Sequence, residues 1–245
     1  MASCSGKTAL VTDASHGTGR TAAIALAKVG AQVLVHHSRK IARADAVVAE
    51  IRAAGGKAQA IYADIVPAEG PHDLARRTRE IIGERLDILV VNARLTKTQA
   101  IEDATVAEFD AKLAADVRAP YFLIQQLLPI LSRTSSIILT SPRTAPDAMP
   151  EYTSTEGAVA NLVTHFAPLL GPRGIRVNAI VPGAIERGAR NSVKSSERRA
   201  SLLPVRCHDI GTTIAFLASN EASLITGETV RLDSLHRSVH VESDS

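Results

Sequence analysis

The chain has 245 residues, 45% of them hydrophobic and 22% charged, enough to bury a large core in one α/β domain spanning residues 1–245. A net charge of +3, 3% aromatics and no tryptophan leave little material for a nucleic-acid surface, and none is expected as a partner. Cys4 and Cys207 stand far apart without metal-ligand spacing, which argues against a disulfide framework or metal site and for a reducing, cytoplasmic setting; no signal peptide and no run of ~18 apolar residues for a membrane span is seen.

Apolar β-branched runs alternate with amphipathic stretches along the whole chain. Strand Thr8–Thr12 leads to helix Thr18–Val29, strand Gln32–His36 to helix Ile41–Ala54, and strand Ala58–Tyr62 to helix Gly70–Ile82. Strand Ile88–Asn92 is followed by one long helix, Thr105–Leu131. Strand Ser136–Ser141, helix Glu151–Leu170, strand Arg176–Ile180, helix Asp209–Ser219 and strand Thr229–Leu232 complete the pattern. Such alternation gives a doubly wound, seven-stranded parallel sheet with helices on both faces. Gly30 and the Gly55–Gly56 pair fall at expected helix C-caps. Residues 184–204, rich in Ser and Arg, read as a loop over a site, and their cluster Arg187, Arg190, Lys194, Arg198 and Arg199 as solvated charge. The polar tail, 234–245, is expected to be disordered or packed on a neighbouring subunit.

The first strand runs into Asp13-Ala14-Ser15-His16-Gly17-Thr18-Gly19-Arg20 and then a helix. Glycines there let the backbone approach a pyrophosphate, which the helix N-terminus favours electrostatically. After the second strand, His36-His37-Ser38-Arg39-Lys40 contains no acid to bind a ribose 2′-hydroxyl, whereas Arg39 suits a 2′-phosphate. NADP(H) is therefore favoured over NAD(H). The paired histidines at this strand end are expected at the surface.

The turn resembles the Thr-Gly-x-x-x-Gly-x-Gly of the short-chain dehydrogenases/reductases, classical type, with Thr12, Gly17 and Gly19 matching and Asp13 replacing the first glycine. Val91-Asn92-Ala93-Arg94 is similar to that family's Asn-Asn-Ala-Gly, and Asp116-Val117-Arg118-Ala119-Pro120 to its Asn-Val-Arg-Ala-Pro. Gly174-Ile175-Arg176-Val177-Asn178, Pro182-Gly183 and Ile225-Thr226-Gly227 also fit, so the resemblance covers Lys7 to Asp233. It implies a Rossmann-like fold, a small carbonyl or alcohol substrate, and a homodimer or homotetramer joined through the two long helices. The cofactor contacts it implies are Thr12, Asp13, His16, Gly17, Thr18, Gly19, Arg39, Asp64, Ile65, Asn92, Ala93, Pro182, Gly183 and Ile185. Asp13 adds bulk and like charge, so weakened dinucleotide binding is expected.

For the chemistry the resemblance implies Ser141 to orient the carbonyl and Tyr152 to donate a proton. Glu156 replaces the family lysine, and Asp116 replaces the asparagine that holds a relay water. Tyr152 and Glu156, at i and i+4, share one helix face. Unit charges ~5 Å apart at an effective dielectric near 20 interact by about 3 kcal/mol, so exchanging ammonium for carboxylate is a swing of roughly 6 kcal/mol against tyrosinate. Reduction should suffer less than alcohol oxidation, which needs the phenolate as base. Arg94, Arg143 or Arg187 is a candidate for the missing positive charge. The favoured reading is a carbonyl reductase with altered activity. The alternatives are a catalytically impaired relative acting through dinucleotide or subunit binding and, ranked low because Glu156 cannot replace its arginine, a non-redox enzyme similar to halohydrin dehalogenases.

Overall fold

The structure, a computed structural model, describes residues 2–92, 105–141, 150–182 and 206–232, with the backbone alone at 150–154. Its seven strands are β1 (Thr8–Val11), β2 (Gln32–His37), β3 (Lys57–Tyr62), β4 (Leu86–Asn92), β5 (Leu131–Thr140), β6 (Arg176–Pro182) and β7 (Thr229–Leu232). All pair in parallel, in the order β3-β2-β1-β4-β5-β6-β7. The order reverses between β1 and β4, and the crevice beyond the strand ends there is where such sheets receive ligands. β4 and β6 are buried at every residue, apolar for the most part, with Asp87, Asn92, Arg176 and Asn178 as their buried polar members.

Helices α1 (Gly17–Lys28), α2 (Ile41–Ala53) and α7 (Cys207–Ala218) cover one face through Leu26, Val47, Ile51, Ile214 and Leu217. Helices α3 (Gly70–Ile82), α5 (Ala119–Leu127) and α6 (Pro150–Leu170) cover the other through Leu74, Leu123, Leu127, Val163 and Phe166. α1 and α7 pack so closely that a Cβ at Gly211 would lie 2.8 Å from the Thr21 carbonyl oxygen. The expected C-cap glycines are in place, with Gly30 at φ 99° and Gly55 at φ 82°.

Three expectations change. The long helix Thr105–Leu131 is broken. It starts as α4 (Val106–Leu113), where Thr105 and Glu108 form a reciprocal capping box, then passes through a π-helical turn at Ala114–Arg118 into α5. Pro120 explains the break: it has no N–H for the Asp116 carbonyl four residues earlier, and the Ala119 N–H bonds instead to the Ala114 oxygen, five residues back. Second, β5 begins at Leu131 rather than Ser136. Leu131 pairs with Leu86, the register then shifts, and Thr134 takes φ 72° while donating its N–H to the Gly174 oxygen at 2.9 Å. Third, His36 and His37 are buried, not surface residues, because β2 is flanked by β1 and β3 and covered at its end by the turn after β1.

Candidate cofactor and active site

The turn after β1 is held by its neighbours rather than by its own side chains. Asp13 has φ 45°, left-handed backbone that Asp tolerates better than most residues. Its N–H donates to His36 Nδ1 at 3.1 Å, and the next amide, Ala14, donates to the His36 carbonyl at 2.8 Å. The Asp13 carboxylate is mostly buried and lies 3.9 Å from His16 Nε2, while Ser15 Oγ bonds to His16 Nδ1 at 3.1 Å. A Cβ at Gly19 would come within 2.5 Å of the Asp13 oxygen, so the first turn of α1 is pressed directly against this loop. Thr18 opens that helix beside Gly17, whose φ is 53°.

At the neighbouring strand ends, Arg39 is exposed, Asp64 Oδ1 accepts the Val66 N–H at 3.2 Å, and Ile65 is buried. The central strands are tied by buried polar contacts. The Asn92 N–H donates to Thr12 Oγ1 at 2.8 Å, and Thr140 Oγ1 donates to Asn92 Oδ1 at 2.9 Å. Ser141 follows, buried, its N–H donating to the Ile180 oxygen at 2.9 Å. Thr12, Asn92, Ser141 and Pro182 thus stand at the same end of four adjacent strands. The side chain of Tyr152, together with Ala93, Arg94, Arg143, Gly183, Ile185, Arg187, the 184–204 loop and the 234–245 tail, lies outside the described residues.

Both replaced positions carry partners that the sequence reading missed. Asp116 sits in the π-helical turn, and Lys112 Nζ lies 2.6 Å from its Oδ2; their side chains are only 5% (Lys112) and 1% (Asp116) exposed. Their i, i+4 spacing was a usable signal. On α6, Glu156 is nearly buried, at 10% side-chain exposure, and Arg231 Nη2 of β7 lies 3.1 Å from its Oε1. No local pattern announces that contact. The swing worked out above assumed a lone carboxylate. The Arg231 guanidinium at that distance offsets part of the repulsion a lone carboxylate would exert.

Among the described residues no group of His, Cys, Asp and Glu is placed to hold a metal ion, and no helix is long and apolar enough to cross a membrane.

Strand order, the turn at the β1/β4 switch and the polar strand ends define a doubly wound sheet of the dinucleotide-binding kind. Residues 13–234 match the family model described as enoyl-(acyl carrier protein) reductase, and the chain belongs to the short-chain dehydrogenase/reductase family. It is 36% identical over 242 residues to an uncharacterized oxidoreductase of Methylorubrum extorquens, covering 94% of this chain and 97% of that one. It is 32% identical over 238 residues to the 3-oxoacyl-(acyl-carrier-protein) reductase FabG of Staphylococcus epidermidis, covering 93% and 97%. The angucycline C-6 ketoreductase LanV, solved with bound NADP, superposes with a TM-score of 0.85 at 32% identity over 94% of this chain and 95% of that one.

Proposed function

We propose that the chain is an NADP(H)-dependent carbonyl reductase acting on a small-molecule ketone, with reduction favoured over alcohol oxidation. One observation carries this reading: both carboxylates that replace members of the family's catalytic set have their own cation, Lys112 on Asp116 and Arg231 on Glu156. The site therefore does not face the proton donor with two naked negative charges. The reductases and the NADP-bound ketoreductase among the relatives agree with it.

The residues present fit a dinucleotide. Thr12 and the turn through Asp13, His16, Gly17, Thr18 and Gly19 receive the pyrophosphate, with the buried Asp13 carboxylate turned toward His16. Arg39, exposed and with no acid beside it among the described residues, meets a 2′-phosphate. Asp64 and Ile65 border the adenine, and Asn92, Ala93, Pro182, Gly183 and Ile185 the nicotinamide. When bound, the cofactor supplies the hydride. Ser141 orients the carbonyl, Tyr152 donates the proton, and the Asp116–Lys112 pair holds the π-helical turn that borders α6. Exposed Phe109, Tyr121, Phe122 and Leu169 on α4, α5 and α6 supply an apolar face for a homodimer or homotetramer in the cytoplasm.

The test is thermal unfolding with NADPH and NADH, followed by NADPH oxidation across a ketone panel. A ligand at 100 times its Kd stabilises by about 2.7 kcal/mol, so a clear rise in Tm with NADPH, smaller with NADH, and ketone-dependent NADPH consumption are expected. Stabilisation without turnover would favour the impaired-relative reading, for which Glu156 in place of a cation is the supporting observation. Cofactor-independent halide release from a vicinal haloalcohol would favour the dehalogenase-like one.

A further inference from the structure

His36 is 1% exposed, at the end of β2, and both of its ring nitrogens are engaged. Nδ1 lies 3.1 Å from the Asp13 amide, which can only donate, so Nδ1 is the acceptor. The proton then sits on Nε2, which donates to the Ala63 oxygen at 2.9 Å. The backbone adds a third tie, Ala14 N–H to the His36 oxygen. One side chain thus joins the turn that follows β1 to the segment leaving β3, immediately before Asp64. These are the two walls of the adenosine half of the proposed nucleotide site. The Asp13 amide it holds belongs to a residue at φ 45°, a conformation that L-residues keep only when their surroundings enforce it.

We propose that His36, as its neutral Nε2–H tautomer, is the positioning residue that sets the nucleotide-binding turn, and that its protonation loosens the turn and weakens dinucleotide binding. This rests on the dinucleotide reading above. Imidazolium carries a hydrogen on both nitrogens, so a protonated ring would aim Nδ1–H at the Asp13 N–H, two donors at hydrogen-bond distance. Asp13 and, beyond it, His16 face the ring from the β1 side. From β3 and its exit come Tyr62 and Asp64, and on β2 itself His37, whose ring centroid is 5.7 Å from that of Tyr62. Arg39 and Lys40 follow, exposed, and among the described residues α1 and α2 bring no buried charge.

The experiment compares the wild type with His36→Asn, which keeps an acceptor near the Nδ1 position but does not titrate, and with His36→Leu, which keeps neither. Kd is measured for NADPH and for NADH, which lacks the titrating 2′-phosphate, from pH 8 to pH 5. The wild type is expected to lose about tenfold more affinity for both cofactors over that range than His36→Asn, as for the loss of one hydrogen bond. His36→Leu should bind about tenfold more weakly at pH 8. Parallel pH profiles in wild type and His36→Asn would overturn the proposal, whether or not His36→Leu folds.

Hydrogen exchange of residues 12–19 in cofactor-free protein gives a second readout. Wild type and His36→Asn should exchange alike at pH 8, with the wild type faster at pH 5. Equal exchange at pH 5 would overturn the inference. If neither cofactor binds at any pH, the dinucleotide reading fails while this comparison still decides the role of His36 in the turn.

Discussion

Replacing Lys112 with Met leaves the Asp116 carboxylate in the interior without its cation. The two charges are 2.6 Å apart, and neither side chain is more than 5% exposed. Removing one partner of such a pair costs about 3–5 kcal/mol, because the remaining charge stays desolvated, whereas removing both is close to neutral. For a chain of this size 1 kcal/mol moves Tm by roughly 2–4 °C, so Lys112→Met should lower Tm by about 6–20 °C. Asp116→Asn should also destabilise, since it removes the carboxylate 2.6 Å from the buried Lys112 ammonium. The double variant Lys112→Met, Asp116→Asn should recover most of the loss, giving a coupling energy of at least about 3 kcal/mol in a double-mutant cycle followed by urea unfolding. Additive single effects, or a Lys112→Met cost below ~1 kcal/mol, would refute the pairing argument.

Arg231→Met takes the guanidinium away from the Glu156 carboxylate, four residues along α6 from the Tyr152 proposed above as proton donor. With the arginine side chain 64% exposed, the pair is worth ~1 kcal/mol at most, so under the proposed function kcat/KM for NADPH-dependent reduction should fall by up to about fivefold, and Glu156→Gln in that background should restore it. No change in Arg231→Met would contradict this. Gly19→Ala drives a Cβ against the Asp13 oxygen at 2.5 Å, so a cost of about 1–3 kcal/mol is expected, with weaker NADPH binding by titration; an unaltered Tm would count against the close approach. Burial pushes the Cys4 thiol up, opposed by Lys7 and Arg176. Its protonated form is therefore favoured by folding, and that contribution is intact below the ordinary thiol range and lost as pH rises beyond it through the raised value. Cys4→Ala should flatten the stability loss above about pH 9, and Cys207, partly exposed, should be alkylated first in the native protein, as peptide mapping would show.

The sheet was legible because buried parallel strands and amphipathic helices differ in period, and Gly30 and Gly55 marked where helices stop. The break in the Thr105–Leu131 segment was legible in principle from Pro120, yet the continuous helical pattern on either side concealed it. The early start of β5 was not, since Ser132, Arg133 and Thr134 carry no strand signature and fall in the register shift between the Leu86–Leu131 and Ile88–Ser136 pairs. Within the candidate site, the turn, Arg39 and Ser141 could be placed from motif and strand ends. The buried role of His36 could not, because a strand buried on both faces has no alternation to distinguish inward from outward residues. Arg231 joins Glu156 from 75 residues away by number (231 − 156), a contact only the folded sheet creates.

The two ion pairs tie each replaced position to a second one. Lysine at 156 would set an ammonium against the Arg231 guanidinium, and asparagine at 116 would take from Lys112 the carboxylate 2.6 Å away. Each single change is therefore expected to cost stability that the paired change avoids. Any engineered return to the family tetrad has to change 112 together with 116, and 231 together with 156.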